Sequence, residues 1–191
     1  MYPNATALEK KYYAEFPEGT PFVCACEKGR VEDVEGMIRG ARAAGMDVTA
    51  MVSEVGTRSN GTSYTPLMAA AENVHSTLEK YLVMIMYPNV TTLENSTSTI
   101  IEILLQYNAD TATTDEDGSN ALHYAAWYNK TTTTIVQLLL NNMKLEDINR
   151  KNTYSGDTPL DQCYKYNNNS SIKQQLIDLI RQKGGKRKSE L

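Results

Sequence analysis

A chain of 191 residues with 11 Gly, 6 Pro and 22% charged residues has the make-up of one ordinary folded domain with a core, which excludes collagen, low-complexity and disulfide-scaffold proteins. Apolar residues reach 41%, but the longest unbroken apolar run, residues 81–87, is far short of the roughly 20 that a membrane-spanning helix needs, so no membrane partner is expected. The net charge of −4 is uneven: four basic residues against Glu190 put the last nine positions at +3 and leave residues 1–182 at −7, an acidic body that argues against a nucleic-acid surface.

The first predicted element is a short helix. Thr6-Ala-Leu-Glu9 is a capping-box pattern, and the helix it opens runs to about Glu15 within an N-terminal capping segment, residues 1–18. At 19–26 comes Gly-Thr-Pro-Phe-Val-Cys-Ala-Cys, a helix opening with Thr20 as cap and Pro21 at the first helical position, where a missing N–H removes no bond. Val34-Glu-Gly-Met-Ile38 has apolar residues at helical spacing and predicts a second helix. Ala41 to Ala44 and residues 48–55 predict that it is lengthened and followed by a long turn through residue 63. Tyr64-Thr-Pro-Leu-Met-Ala-Ala-Ala71 repeats the opening, with Thr65 as cap.

An insertion follows at about 75–96. Ser76-Thr-Leu-Glu79 is a second capping-box pattern, and Tyr81-Leu-Val-Met-Ile-Met86 before Pro88 predicts an extra helix whose Met and aromatic stripe packs against a neighbour. Two registers are open: 76–86 is the added helix, or it is the second helix of its unit and 94–107 is the added one. Ile100 to Leu105, Ile135 to Leu140 and Leu176 to Ile180 predict further second helices. Ser119-Asn-Ala-Leu-His-Tyr-Ala-Ala126 and Asp157-Thr-Pro-Leu-Asp-Gln-Cys-Tyr164 are further openings, capped by Asn120 and Thr158. Gln174, Gln175, Asp178, Arg181 and Gln182 make one side of the last helix polar, and residues 186–191 read as a solvated basic tail.

Each opening is followed by a pair of small residues where a second helix can come close: Ala25 and Cys26, Ala70 and Ala71, Ala125 and Ala126. With Leu104-Leu-Gln-Tyr-Asn-Ala-Asp110 as a unit end, Asp117-Gly118 as a turn and Ala121-Leu-His-Tyr-Ala-Ala126 as the next start, the chain resembles the ankyrin repeat. Four such starts, near 19, 64, 119 and 157, extend the resemblance over 19–185. Their anchors lie 45, 55 and 38 residues apart against a family period of about 33, so the units are irregular. The resemblance implies an all-α solenoid of helix-turn-helix units joined by short β-turn or hairpin loops.

The inventory for catalysis is thin, and neither an enzyme nor a cofactor is expected. The two histidines are His75, which has no ligand partner at metal spacing, and His123, whose position in the repeat implies structural hydrogen bonding to the turn. Cys24, Cys26 and Cys163 form no zinc or disulfide framework, and the N-terminus has no basic region followed by an apolar one. A cytoplasmic setting follows. Seven Asn-x-Ser/Thr sequons and the final Lys-Ser-Glu-Leu are attributed to a chain rich in Asn, Ser and Thr.

Binding is what such an array supports, because stacked units build a long concave surface from turn tips and the exposed side of each first helix. Counting from each start puts Glu27 and Lys28, Glu72 and Asn73, Trp127 and Tyr128, and Lys165 and Tyr166 on those helices, with Tyr64, Asp117, Ser119, Tyr154 and Asp157 at the tips. The only tryptophan thus falls on the concave face beside tyrosines, the residue types that dominate binding hot spots. The partner expected is another protein, recognised by a monomer acting as a scaffold or as an inhibitor of a partner enzyme.

Overall fold

The computed structural model describes residues 6–59, 61–72, 92–128, 132–167 and 170–191, with the side chains of 92–95 and 170–171 outside that set. In chain order the elements are α1 (Ala7–Glu15), α2 (Pro21–Glu27), α3 (Val31–Ala43), α4 (Val48–Ser53), β1 (Gly56–Thr57), β2 (Ser63–Tyr64), α5 (Pro66–Glu72) and α6 (Thr92–Gln106). They continue with α7 (Ala121–Tyr128), α8 (Thr134–Asn142), α9 (Leu145–Ile148), α10 (Pro159–Tyr166), α11 (Ser170–Gln182) and a 3-10 turn at Lys188–Glu190.

Local chemistry sets the helix starts. Glu9 N–H donates to the Thr6 hydroxyl at 3.2 Å while Thr6 N–H donates to the Glu9 carboxylate at 2.6 Å, opening α1. Thr65 accepts from Met68 N–H, Asn120 from Leu122 and His123 N–H, and Thr158 forms a capping box with Asp161. Thr20 does not cap. Its hydroxyl accepts from Thr57 N–H at 2.9 Å while its own N–H donates to the Thr57 carbonyl at 2.8 Å, so it stitches α2 to the neighbouring strand.

The helix ends are equally local. α3 stops where Gly45 takes φ +72°, with Met46 N–H donating to Ala41 O and Gly45 N–H to Arg42 O, a Schellman ending. α6 ends the same way on Asn108, the one non-glycine residue at positive φ among those described.

The stretch between α3 and α5 corrects the sequence reading of a lengthened helix and a long turn. After Gly45 the chain forms a separate helix, α4, capped by Asp47, and then an antiparallel hairpin in which Gly56 faces Tyr64 and Thr57 faces Ser63. Strand β1 runs so close to α2 that a Cβ at Gly56 would lie 2.7 Å from the Thr20 hydroxyl and 2.8 Å from Val23, leaving room only for glycine.

The first helices α2, α5, α7 and α10 stack in one row, and α3, α6, α8 and α11 form a second row behind it. The small pairs Ala25 and Cys26, Ala70 and Ala71, Ala125 and Ala126 are buried and let the rows approach. Between them Ile100, Leu104, Leu122, Ile135, Leu139, Leu160, Leu176 and Ile180 form one continuous core. Helix α6 sits between α3 and α8 in the rear row and packs on α5, so residues 92–106 serve as the second helix of that unit. The remainder of the 75–96 insertion, including the stripe at 81–86, lies outside the described residues, as does His75.

The basic C-terminal segment also differs from the solvated tail read from the sequence. It folds back over the last unit: Lys186 N–H donates to Asn149 Oδ1, its carbonyl accepts from the Thr158 hydroxyl, and Glu190 holds Arg181 in a two-pronged ion pair. Arg187 Nε and Lys188 N–H both donate to the Asp161 carboxylate, at 2.9 and 2.7 Å, and Lys188 Nζ reaches Asp157 at 2.7 Å. The two aspartate side chains are fully buried, so this strap supplies the countercharge that lets them stay inside.

Candidate functional site

Helix α7 is short enough that every side chain has an assigned direction. His123 points inward. Its Nδ1 accepts from Asn120 N–H at 3.2 Å, which leaves Nε2–H to donate to the Asp157 carbonyl of the next unit at 3.2 Å. Burial pushes this imidazole down to about 4, so it is neutral at physiological pH and acts as a fixed bridge between units.

Tyr124, Trp127 and Tyr128, at helical spacings of three and four, share the opposite, half-buried face. They form the centre of a ladder of rings. Tyr64 from β2 meets Tyr124 at a centroid distance of 4.9 Å; Tyr124 lies parallel to Tyr128 at 6.3 Å; Tyr128 stacks on Trp127 at 4.9 Å; Trp127 stacks on Tyr166 of α10 at 4.6 Å. The ladder crosses three successive units. Such ring pairs add about 0.5–1.5 kcal/mol each beyond the area they bury, and they hold the rings in fixed orientations.

The ladder has a charged end and a tip rim. Arg58 lies over the Tyr64 ring at 4.6 Å and binds Glu72 at 2.7 Å and Glu27 at 3.4 Å. Burial raises Glu72, and Arg58 works against that rise. On the tip side, Asp115 accepts from Ser119 N–H at 2.8 Å and from the Tyr124 hydroxyl, which fixes Tyr124 beneath the 115–119 turn. Thr153 N–H donates to the Asp117 carbonyl, tying that turn to the next one. Asn152 braces the second turn by accepting from Ser155 and Asp157 N–H.

Between these two turns lies a recess of about 200 Å³, walled by Tyr124, Trp127, Tyr154 and Tyr166 and reached past Asp117. Tyr154 is 86% exposed, the most open large apolar side chain described. At the bottom sits Gln162, 4% exposed, whose Oε1 is buried and has no hydrogen-bond partner. A buried acceptor left unmet is an unusual state in a packed interior.

Of the positions read from the sequence, Tyr64, Asp117, Trp127, Tyr128, Tyr154 and Tyr166 line or flank this face, and Lys165 stands at its edge. Glu72 lies beside the ladder but is engaged with Arg58. Asp157 is corrected: its carboxylate is fully buried under Lys165 and Lys188 and offers nothing to a partner. Ser119 is likewise buried within its turn, and Glu27, paired with Lys28 in the sequence reading, is buried against Ser59 and Arg58. Asn73 lies outside the described residues.

Tyr124 and Gln162 were not singled out by the counting. The i, i+3, i+4 spacing of Tyr124, Trp127 and Tyr128 carries the signal for the first; nothing local marks the second.

Among the described residues no group of three or more His, Cys, Asp or Glu is placed to hold a metal, and no helix is long and apolar enough to cross a membrane. Residues 89–184 match the family model for ankyrin repeats, in three copies. No curated protein matches the chain.

Proposed function

The chain belongs to the ankyrin-repeat family, and from that premise we propose that it is a non-catalytic scaffold that binds another protein through the face formed by the ring ladder and the turns at 115–119 and 152–157. Ankyrin repeats are generally protein-interaction modules. The observation that carries the specific reading is the ladder itself: five aromatic rings from Tyr64 to Tyr166, held parallel or tilted across three units and only half-covered by the chain's own atoms. Rigid, partly exposed Trp and Tyr rings bury large area on binding with little loss of rotamer freedom, which makes them interface anchors. The buried and unpaired thiols of Cys24, Cys26 and Cys163 support a reducing setting for this activity.

The test is capture of partners from a cell lysate with quantitative mass spectrometry, comparing the wild type with Trp127→Ala/Tyr128→Ala/Tyr166→Ala. Both proteins must first be shown to unfold cooperatively at similar temperature. The expected result is a partner retained by the wild type and depleted at least tenfold with the triple variant. A partner set that survives the triple variant overturns the assignment of this face.

A further inference from the structure

The recess between the two turns has a more specific chemistry than the face around it. Its volume of about 200 Å³ lies below the roughly 300 Å³ at which sites for whole small molecules begin, so it is the size of one inserted side chain. Its walls are aromatic. Its floor presents the unmet Gln162 Oε1, a lone acceptor that calls for a donor.

The electrostatic setting is one-signed. Asp117 stands at the mouth, and the adjoining hollow, about 350 Å³, is lined by Asp115, Glu116 and Asp117 against Tyr64 and Tyr124. The nearest basic groups, Lys165 and Lys188, are both drawn onto Asp157, whose charge they offset. The body of the chain is itself acidic. An anion would meet carboxylates here.

We propose that this recess receives an arginine side chain of the bound protein, with the guanidinium lying on the aromatic walls, donating to Gln162 Oε1 and meeting the Asp117 carboxylate. This rests on the reading above and names the chemistry of its partner: an exposed arginine in a basic segment. A guanidinium satisfies all three features at once because it is flat, stacks on rings and carries five donors with no acceptor. A lysine ammonium is a more strongly hydrated point charge without the planar fork.

The experiment follows the Trp127 indole and Gln162 side-chain amide signals of the ¹⁵N-labelled full chain in two-dimensional spectra. The protein is titrated at low salt with acetyl-Gly-Arg-Gly-amide, with its citrulline counterpart, which keeps the shape and loses the charge, and with its lysine counterpart. The expected result is saturable shifts of both signals with the arginine peptide and at least tenfold weaker binding of the other two. Binding weakens as salt is raised. Asp117→Asn, at an exposed position, lowers the affinity severalfold without altering the rest of the spectrum, and Gln162→Met lowers it as well.

Equal binding of the citrulline or lysine peptide overturns the proposal, and so does the absence of shifts with all three. The two readings separate cleanly. A lysate partner lost in the triple alanine variant while the arginine peptide stays silent sinks the arginine assignment and leaves the face standing. Saturable arginine binding with no partner lost in that variant sinks the partner reading instead.

Discussion

Burial holds His123 at about 4, against an ordinary value of 6.5, and the sign of the consequence follows directly. Below pH 6.5 the unfolded chain takes up a proton that the folded chain refuses, so stability falls as pH drops from about 6.5 toward 4, by an amount on the order of 3 kcal/mol for this group. His123→Gln should flatten that stretch of the curve while lowering stability at pH 7 by about 1–2 kcal/mol through the strained Asp157 bridge. Urea unfolding from pH 7 to 4 checks both; an unchanged slope in the variant would show that the fall arises elsewhere. The structural role of this histidine was legible from its place in the repeat, and Trp127, Tyr128 and Tyr166 were legible from position counting alone. Asp157 was not. Its burial depends on Lys188, 31 positions away, and on a strap whose path no local pattern states.

Four helices open on similar residues, yet the same threonine does different work in different units. Thr158 caps α10 and also donates to the Lys186 carbonyl at 2.7 Å, so Thr158→Ala removes a cap and a tie to the strap together. A loss of about 1–2 kcal/mol is expected, read as a lower urea midpoint with unchanged slope. Thr20, with no capping bond, serves the hairpin. Helix openings and ends were readable because a cap, a proline and a left-handed residue act within a turn of the chain. The hairpin and α4 were not, because strand β1 is defined by Thr20, 37 positions back, and by the close passage of Gly56 over α2. Likewise the choice between registers at 76–107 turned on packing: α6 lies between α3 and α8, a fact about neighbours in space.

At the scale of the whole molecule the array is closed at its end by charge as well as by apolar packing. Burial pushes Asp157 up, but Lys165 and Lys188 more than reverse that and hold its carboxyl at about 2. Removing residues 186–191 takes away the Lys188 and Arg187 contacts and should lower stability by about 2–3 kcal/mol at pH 7. That is less than the roughly 3–5 for a pair broken deep inside a protein, since water then reaches the carboxylates. Because the folded-state value lies below the ordinary 3.8, the stabilisation is complete above about pH 4 and is lost as pH falls toward 2. The gap between the intact and shortened chains in chemical unfolding should therefore narrow between pH 4 and 2, and a constant gap would show that the strap acts by packing alone.

The three thiols give this architecture a means of reporting on itself. Cys24 and Cys26 sit in the first unit and Cys163 in the last, all buried, with Cys24 and Cys163 each pushed up to about 11 by burial. Folded, they are shielded and protonated, so an alkylating reagent reads only the moments when a unit opens. The order in which the two ends become labelled is then a direct record of which end of the array frays first.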